Sequence, residues 1–163
     1  MKKSIIITVL CCLSCIMYGQ AKTYAVEVLD INGEKMNSKT YTAKEIKSIF
    51  GTPSKIEGTT EEMIYKFGDC GVLTANGKIV GFCFNDNTLA AFTNSILGGI
   101  KVGDKASEAK AKLRQITSSE IKDFKYTYFY GTTQGFTVGN RDDKISFLTD
   151  SSGIITQISY SIE

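Results

Sequence analysis

The spacing of apolar residues predicts a chain made mostly of strands, with helical periodicity in two places. Strand patterns cover YAVEVLD (24–30), EMIYKF (62–67), TLAAFT (88–93), KYTYFY (125–130) and GFTV (135–138). Two further pairs of strands are expected around turns at Asn76-Gly77 and Ser151-Ser152. Helical spacing appears first after Thr42-Ala43-Lys44-Glu45, which has the form of a capping box. Ala43, Ile46, Ile49 and Phe50 follow on one face, and Gly51 and Pro53 supply a stop. A second helix is expected to begin near Asp104 or Ser107, bury Ala109, Leu113 and Ile116, and end before Thr117. Its remaining positions carry Lys105, Lys110, Lys112 and Arg114, a solvated basic face.

Asn-Gly between apolar runs is a strong hairpin signal, because both residues tolerate the positive φ of a type I′ turn. With Ala75 and Lys78 flanking that turn in an unbroken register, Leu73 faces Val80 and Cys70 faces Cys83. The cysteine pair falls on a non-hydrogen-bonded site, where Cα atoms approach to about 4.5 Å, within the reach of a disulfide. Such a bridge would contribute roughly 3 kcal/mol in the chain-entropy model. The alternative is a pair of buried free thiols.

Shifting the chain by 75 positions overlays this hairpin on ISFLTDSSGIITQISY (145–160), with Leu73-Thr74 on Leu148-Thr149 and the two cysteines on Ile145 and Ile158. The expected fold class is therefore α+β. Two tandem repeats, 22–95 and 96–163, are each expected to pack one helix on an antiparallel meander of three to four strands.

Lys2-Lys3, an apolar run to about Tyr18, and Gly19-Gln20-Ala21 have the layout of a secretory signal peptide over 1–21. The expected location is the periplasm or cell surface. Processing as a lipoprotein at Cys15 is the alternative. Removing the leader takes away Lys2 and Lys3, so the basic groups then equal the 17 acidic ones. That balance argues against a nucleic-acid partner. No later apolar run is long enough to cross a bilayer. Cys70 and Cys83 would be the two cysteines left, an even number in an oxidising compartment.

The chain has no histidine, which removes the commonest general base and metal ligand. No cofactor motif is recognisable; the glycines of GGIKVG (98–103) match neither a dinucleotide fingerprint nor a P-loop. Asn85-Asp86-Asn87 and Asn140 with Asp142-Asp143 are candidate calcium loops without EF-hand spacing. Tyr126, Tyr128 and Tyr130 fall with Phe124 on one side of a single strand, an aromatic ladder suited to binding. Phe82 and Phe84 share the side of Leu73 and Val80 in the unbroken register. They form either an apolar patch awaiting a partner or a contact with the rest of the chain.

TAKEIKSIFGTPSKIEG and GGIKVGDKASEAKAKL, each followed by a hairpin, resemble the halves of tandem-repeat envelope proteins, the superfamily of β-lactamase-inhibitor proteins and SmpA/OmlA-type assembly lipoproteins. The resemblance implies a non-enzymatic, exported module whose sheet surface grips a protein partner. The absence of tryptophan departs from the inhibitor pattern. The expectation is thus a binding or assembly protein of the bacterial envelope. A carboxylate-dependent hydrolase or a calcium-dependent carbohydrate binder is the alternative.

Overall fold

The structure is a computed structural model, and it describes residues 30–31, 34–35, 39–91, 99–117, 119–140 and 143–161. The expected strand at 24–30 and the cleavage site fall almost wholly outside them. Strands β1 (Asp30–Ile31) and β2 (Glu34–Lys35) form a short antiparallel ladder. The eight strands that follow are β3 (Lys55–Gly58), β4 (Glu62–Phe67), β5 (Cys70–Ala75), β6 (Lys78–Phe84), β7 (Ile121–Tyr128), β8 (Gly131–Asn140), β9 (Asp143–Thr149) and β10 (Ile155–Ser161). They make a single antiparallel sheet in the order β3-β4-β5-β6-β10-β9-β8-β7.

This corrects the expected fold class. The chain does not form two tandem α+β units, each a helix on its own meander. Among the described residues it is dominated by one eight-stranded sheet, with only two short helices, α1 (Ala43–Phe50) and α2 (Ala106–Ile116). The reason lies at the seam. A free-standing meander ending at β6 would leave a long apolar edge unpaired, a template for aggregation. Here β6 pairs with β10 instead, setting Phe84 against Ile158 and Phe82 against Tyr160. These four side chains belong to one hydrophobic core that runs the width of the sheet.

Local rules explain the helices. Thr42 Oγ1 accepts from the Glu45 N–H, and the Glu45 carboxylate accepts from the Thr42 N–H at 2.8 Å, closing the expected capping box. Gly51 ends α1 with φ +90°, a conformation that L side chains avoid. Both helices cover the same face of the sheet: Phe50 meets Phe67 at 5.9 Å between ring centroids, and Lys110 lies over the Phe136 ring at 5.3 Å. In α2, Ala106, Ala109, Leu113 and Ile116 are buried.

Several strands differ from their predicted extents. β3 was not expected, because Lys55-Ile56-Glu57-Gly58 is an exposed edge strand without apolar alternation. Glu57 bridges Lys55 and Lys66, whose hydrogen bonds hold its carboxyl down to about 2. TLAAFT does not form the expected strand in its described part, where Ala91 makes only an isolated bridge to Ile100. β7 starts earlier and stops earlier than KYTYFY, leaving Phe129-Tyr130 as a two-residue turn.

Candidate functional site

The register of the first hairpin decides which side chains face outward. Ala75↔Lys78 and Thr74↔Ile79 follow the expected pairing, but the next pair is Leu73↔Gly81, so Val80 is an extra residue in β6. Such a bulge shifts all later pairs by one position and turns every side chain beyond it to the opposite face. Cys70 now lies opposite Phe84, and Cys83 opposite Gly71.

The bulge overturns the expected disulfide and decides between the two readings of Phe82 and Phe84. Cys70 and Cys83 are not joined; both are free thiols, Cys70 in the core and Cys83 half-buried on the other face of the sheet. Phe82 and Phe84 are not a surface patch, being 4 % and 0 % exposed, with rings stacked at 4.5 Å. Burying two phenylalanines at the expense of one small thiol is the favourable exchange, since each ring removes far more apolar area from water.

Cys70 Sγ donates to Asp86 Oδ1 at 3.0 Å. Burial, and then this hydrogen bond, push its thiol pKa up to about 11. The Asp86 carboxyl is held well below its usual range by the Cys70 thiol and then by the Thr88 hydroxyl and N–H. The Asp69 N–H also donates to it, at 2.9 Å. This carboxylate therefore organises the loop after β6, and its oxygens are already occupied by donors from the protein. The side chains of Asn140, Asp142 and Asp143 lie outside the described residues.

Away from the helices the sheet presents its second face. Following the register across the strands, this face carries Ile64, Leu73, Cys83, Ser159, Ser146, Thr137, Leu148, Phe124, Tyr126 and Tyr128. Its middle is lined by small residues, with Gly71 and Gly81 on β5 and β6. There Gln157 Nε2 donates to Cys83 Sγ at 3.1 Å and to Asn85 Oδ1 at 2.7 Å. The Cys83 thiol has amide neighbours and no base among its described hydrogen-bond partners, so nothing seen there activates it as a nucleophile. A shallow apolar depression of about 240 Å³ lies over Ile64, Leu73 and Gly81.

The aromatic end of this face is built by β7. Phe124 and Tyr126 stack at 5.6 Å, and Tyr126 and Tyr128 follow at 6.5 Å. Tyr126 is 56 % exposed and Tyr128 63 %. Tyr130 leaves the expected ladder and occupies the turn with Phe129, the two rings meeting edge to face at 5.2 Å. Sequence reasoning missed Phe129, whose side chain is 96 % exposed. No charged residue occurs from Tyr126 to Asn140, and that silence in the charge pattern was the available signal.

A cleft of about 570 Å³ runs beside the ladder, lined in part by Glu120, Lys122, Asp123 and Lys144. Its acids do not act as a pair: Glu120 bridges Lys122 at 2.8 Å and Asp123 bridges Lys110 at 2.5 Å. Among the described residues no three of His, Cys, Asp or Glu are arranged to hold a metal ion, and no helix is long and apolar enough to cross a membrane. What the arrangement offers is area: exposed amphipathic rings in a row along one strand. In comparisons with protein-family models, curated proteins and solved structures, nothing matches this chain.

Proposed function

We propose that this chain is an exported, non-enzymatic binding or assembly protein of the bacterial envelope that takes a protein partner on the open face of its sheet. The carrying observation is the ladder of Phe124, Tyr126 and Tyr128, two of whose rings are more than half exposed on a strand with no covering element among the described residues. Tyrosine serves such surfaces well, since it offers a large rigid area with a polar tip at small entropic cost. The sheet holds the rings in place, and Gly135 and Gly131 of β8, opposite Phe124 and Tyr128, leave room for a partner's side chains. The leader-like residues 1–21 support export, and the family resemblance points to the same use of a sheet surface.

Affinity capture from native envelope extract tests this reading. The wild type should retain a discrete protein that Tyr126→Ala and Tyr128→Ala each release, with an affinity loss of about 30-fold, corresponding to roughly 2 kcal/mol per anchor. Lys47→Ala, on the exposed side of α1, should leave capture unchanged. Equal capture by all variants, or turnover of a glycan or peptide library by the purified chain, would refute it.

A further inference from the structure

The sheet ends at β7, and this edge differs from the one at β3. β3 has four residues and is crossed by the Glu57 ion pairs, whereas β7 runs for eight residues with no strand beyond it among the described residues. Tyr128 and Gly131 flank a two-residue turn and so form a hydrogen-bonded pair. By alternation Tyr126, Phe124 and Lys122 also direct their main-chain groups to β8. The N–H and C=O groups of Ile121, Asp123, Lys125 and Thr127 therefore point outward, an unused ladder.

We infer that this edge pairs antiparallel with β7 of a second copy of the chain, about a twofold axis at Phe124. Charge selects both the occupant and the register. A twofold pairing that keeps the two open faces on one side must centre on a single residue. Centring on Asp123 sets carboxylate against carboxylate, and centring on Lys125 sets ammonium against ammonium. Centring on Phe124 places Asp123 of each copy opposite Lys125 of the other, at sites that exchange backbone hydrogen bonds. Lys110 occupies Asp123 Oδ1, which leaves the second oxygen for that lysine. On the open face Phe124 meets its own counterpart, and Lys122 lies across from Tyr126, a cation over a ring. The two ladders become one aromatic strip across a continuous sixteen-stranded sheet, twice the eight strands of one copy. This pairing holds whether or not the strip takes a further partner.

Sedimentation equilibrium and cross-linking of the purified protein test it. The wild type should show reversible dimerisation. Lys125→Asp should weaken it about tenfold or more by facing like charges at two sites, and the double exchange Asp123→Lys with Lys125→Asp should restore it. In a Cys83→Ser background, Phe124→Cys should form an intermolecular disulfide in air, because the self-paired site brings Cα atoms to about 4.5 Å. Lys122→Cys should not, its counterpart being offset by four residues, about 14 Å. Circular dichroism confirms that each variant is folded. A protein monomeric at its highest soluble concentration overturns the pairing. So does a dimer indifferent to Lys125→Asp, a double exchange that fails to restore association, or a folded Phe124→Cys variant that does not cross-link.

Discussion

Replacing Phe84 and Cys83 separately by alanine tests the bulge at Val80. Phe84 is fully buried, stacks on Phe82 at 4.5 Å, and lies between Cys70 on β5 and Ile158 on β10. Phe84→Ala removes that ring from the seam of the sheet, so the loss combines transfer of its apolar area to water with the cavity left behind. Core substitutions of this kind cost about 3 to 5 kcal/mol, a large part of the roughly 5 to 15 kcal/mol that holds a domain folded. Cys83→Ala removes a half-buried sulfur from the open face and one weak hydrogen bond from Gln157, a change worth about 0.5 kcal/mol or less. In an unbroken register the order reverses, with Cys83 in the core beside Cys70 and Phe84 on the open face. Urea unfolding followed by circular dichroism or tyrosine emission, the chain having no tryptophan, gives both costs. A cost for Phe84→Ala below about 1 kcal/mol, or below that of Cys83→Ala, would refute the bulged register.

Three other outcomes are expected. The thiol of Cys70, held up to about 11, has its pKa raised above the roughly 8.5 of an unfolded chain. Its contribution is therefore present below about pH 8.5 and is lost as pH rises toward 11, by at most about 3 kcal/mol. Thermal melts at neutral and alkaline pH should show a steeper loss in wild type than in Cys70→Ala, and parallel curves would contradict this. Thr42→Ala should cost about 1 kcal/mol by removing the hydroxyl that accepts from the Glu45 N–H, while the main-chain arm of the capping box stays; the cost is read from the urea midpoint. Gly135→Ala should destabilise by more than about 2 kcal/mol, because its Cβ would strike the Phe147 carbonyl oxygen at the β8–β9 pairing; an unchanged midpoint would mean the strands lie further apart.

Features set by neighbours along the chain were readable from it. Thr42 with Glu45, Gly51 before Pro53, and the Asn76-Gly77 turn each depend on contacts within a few residues, and each sits where those residues place it. Asn76 and Gly77 both have positive φ, as that turn requires. The register beyond the turn was not readable, because it is decided by where Phe82 and Phe84 find apolar company. That company is Ile158 and Tyr160, more than seventy residues away in sequence. The same long-range pairing fuses the sheet, so duplicated hairpin patterns could not reveal it. At the candidate site, alternation correctly set Phe124, Tyr126 and Tyr128 on one side of β7. It also carried the pattern into Tyr130, since Phe129-Tyr130 has none of the glycine or asparagine that usually announces a two-residue turn; only Gly131, at φ +150°, marks its end.

The claim that the open aromatic face is the working surface is tested most directly by photocross-linking in the native envelope. A photoreactive phenylalanine replaces Tyr128 in one variant and Lys47, on the exposed side of α1, in another. Irradiation should attach a discrete second protein through position 128 and none through position 47. No adduct at position 128, or the same adducts from both positions, would contradict the account.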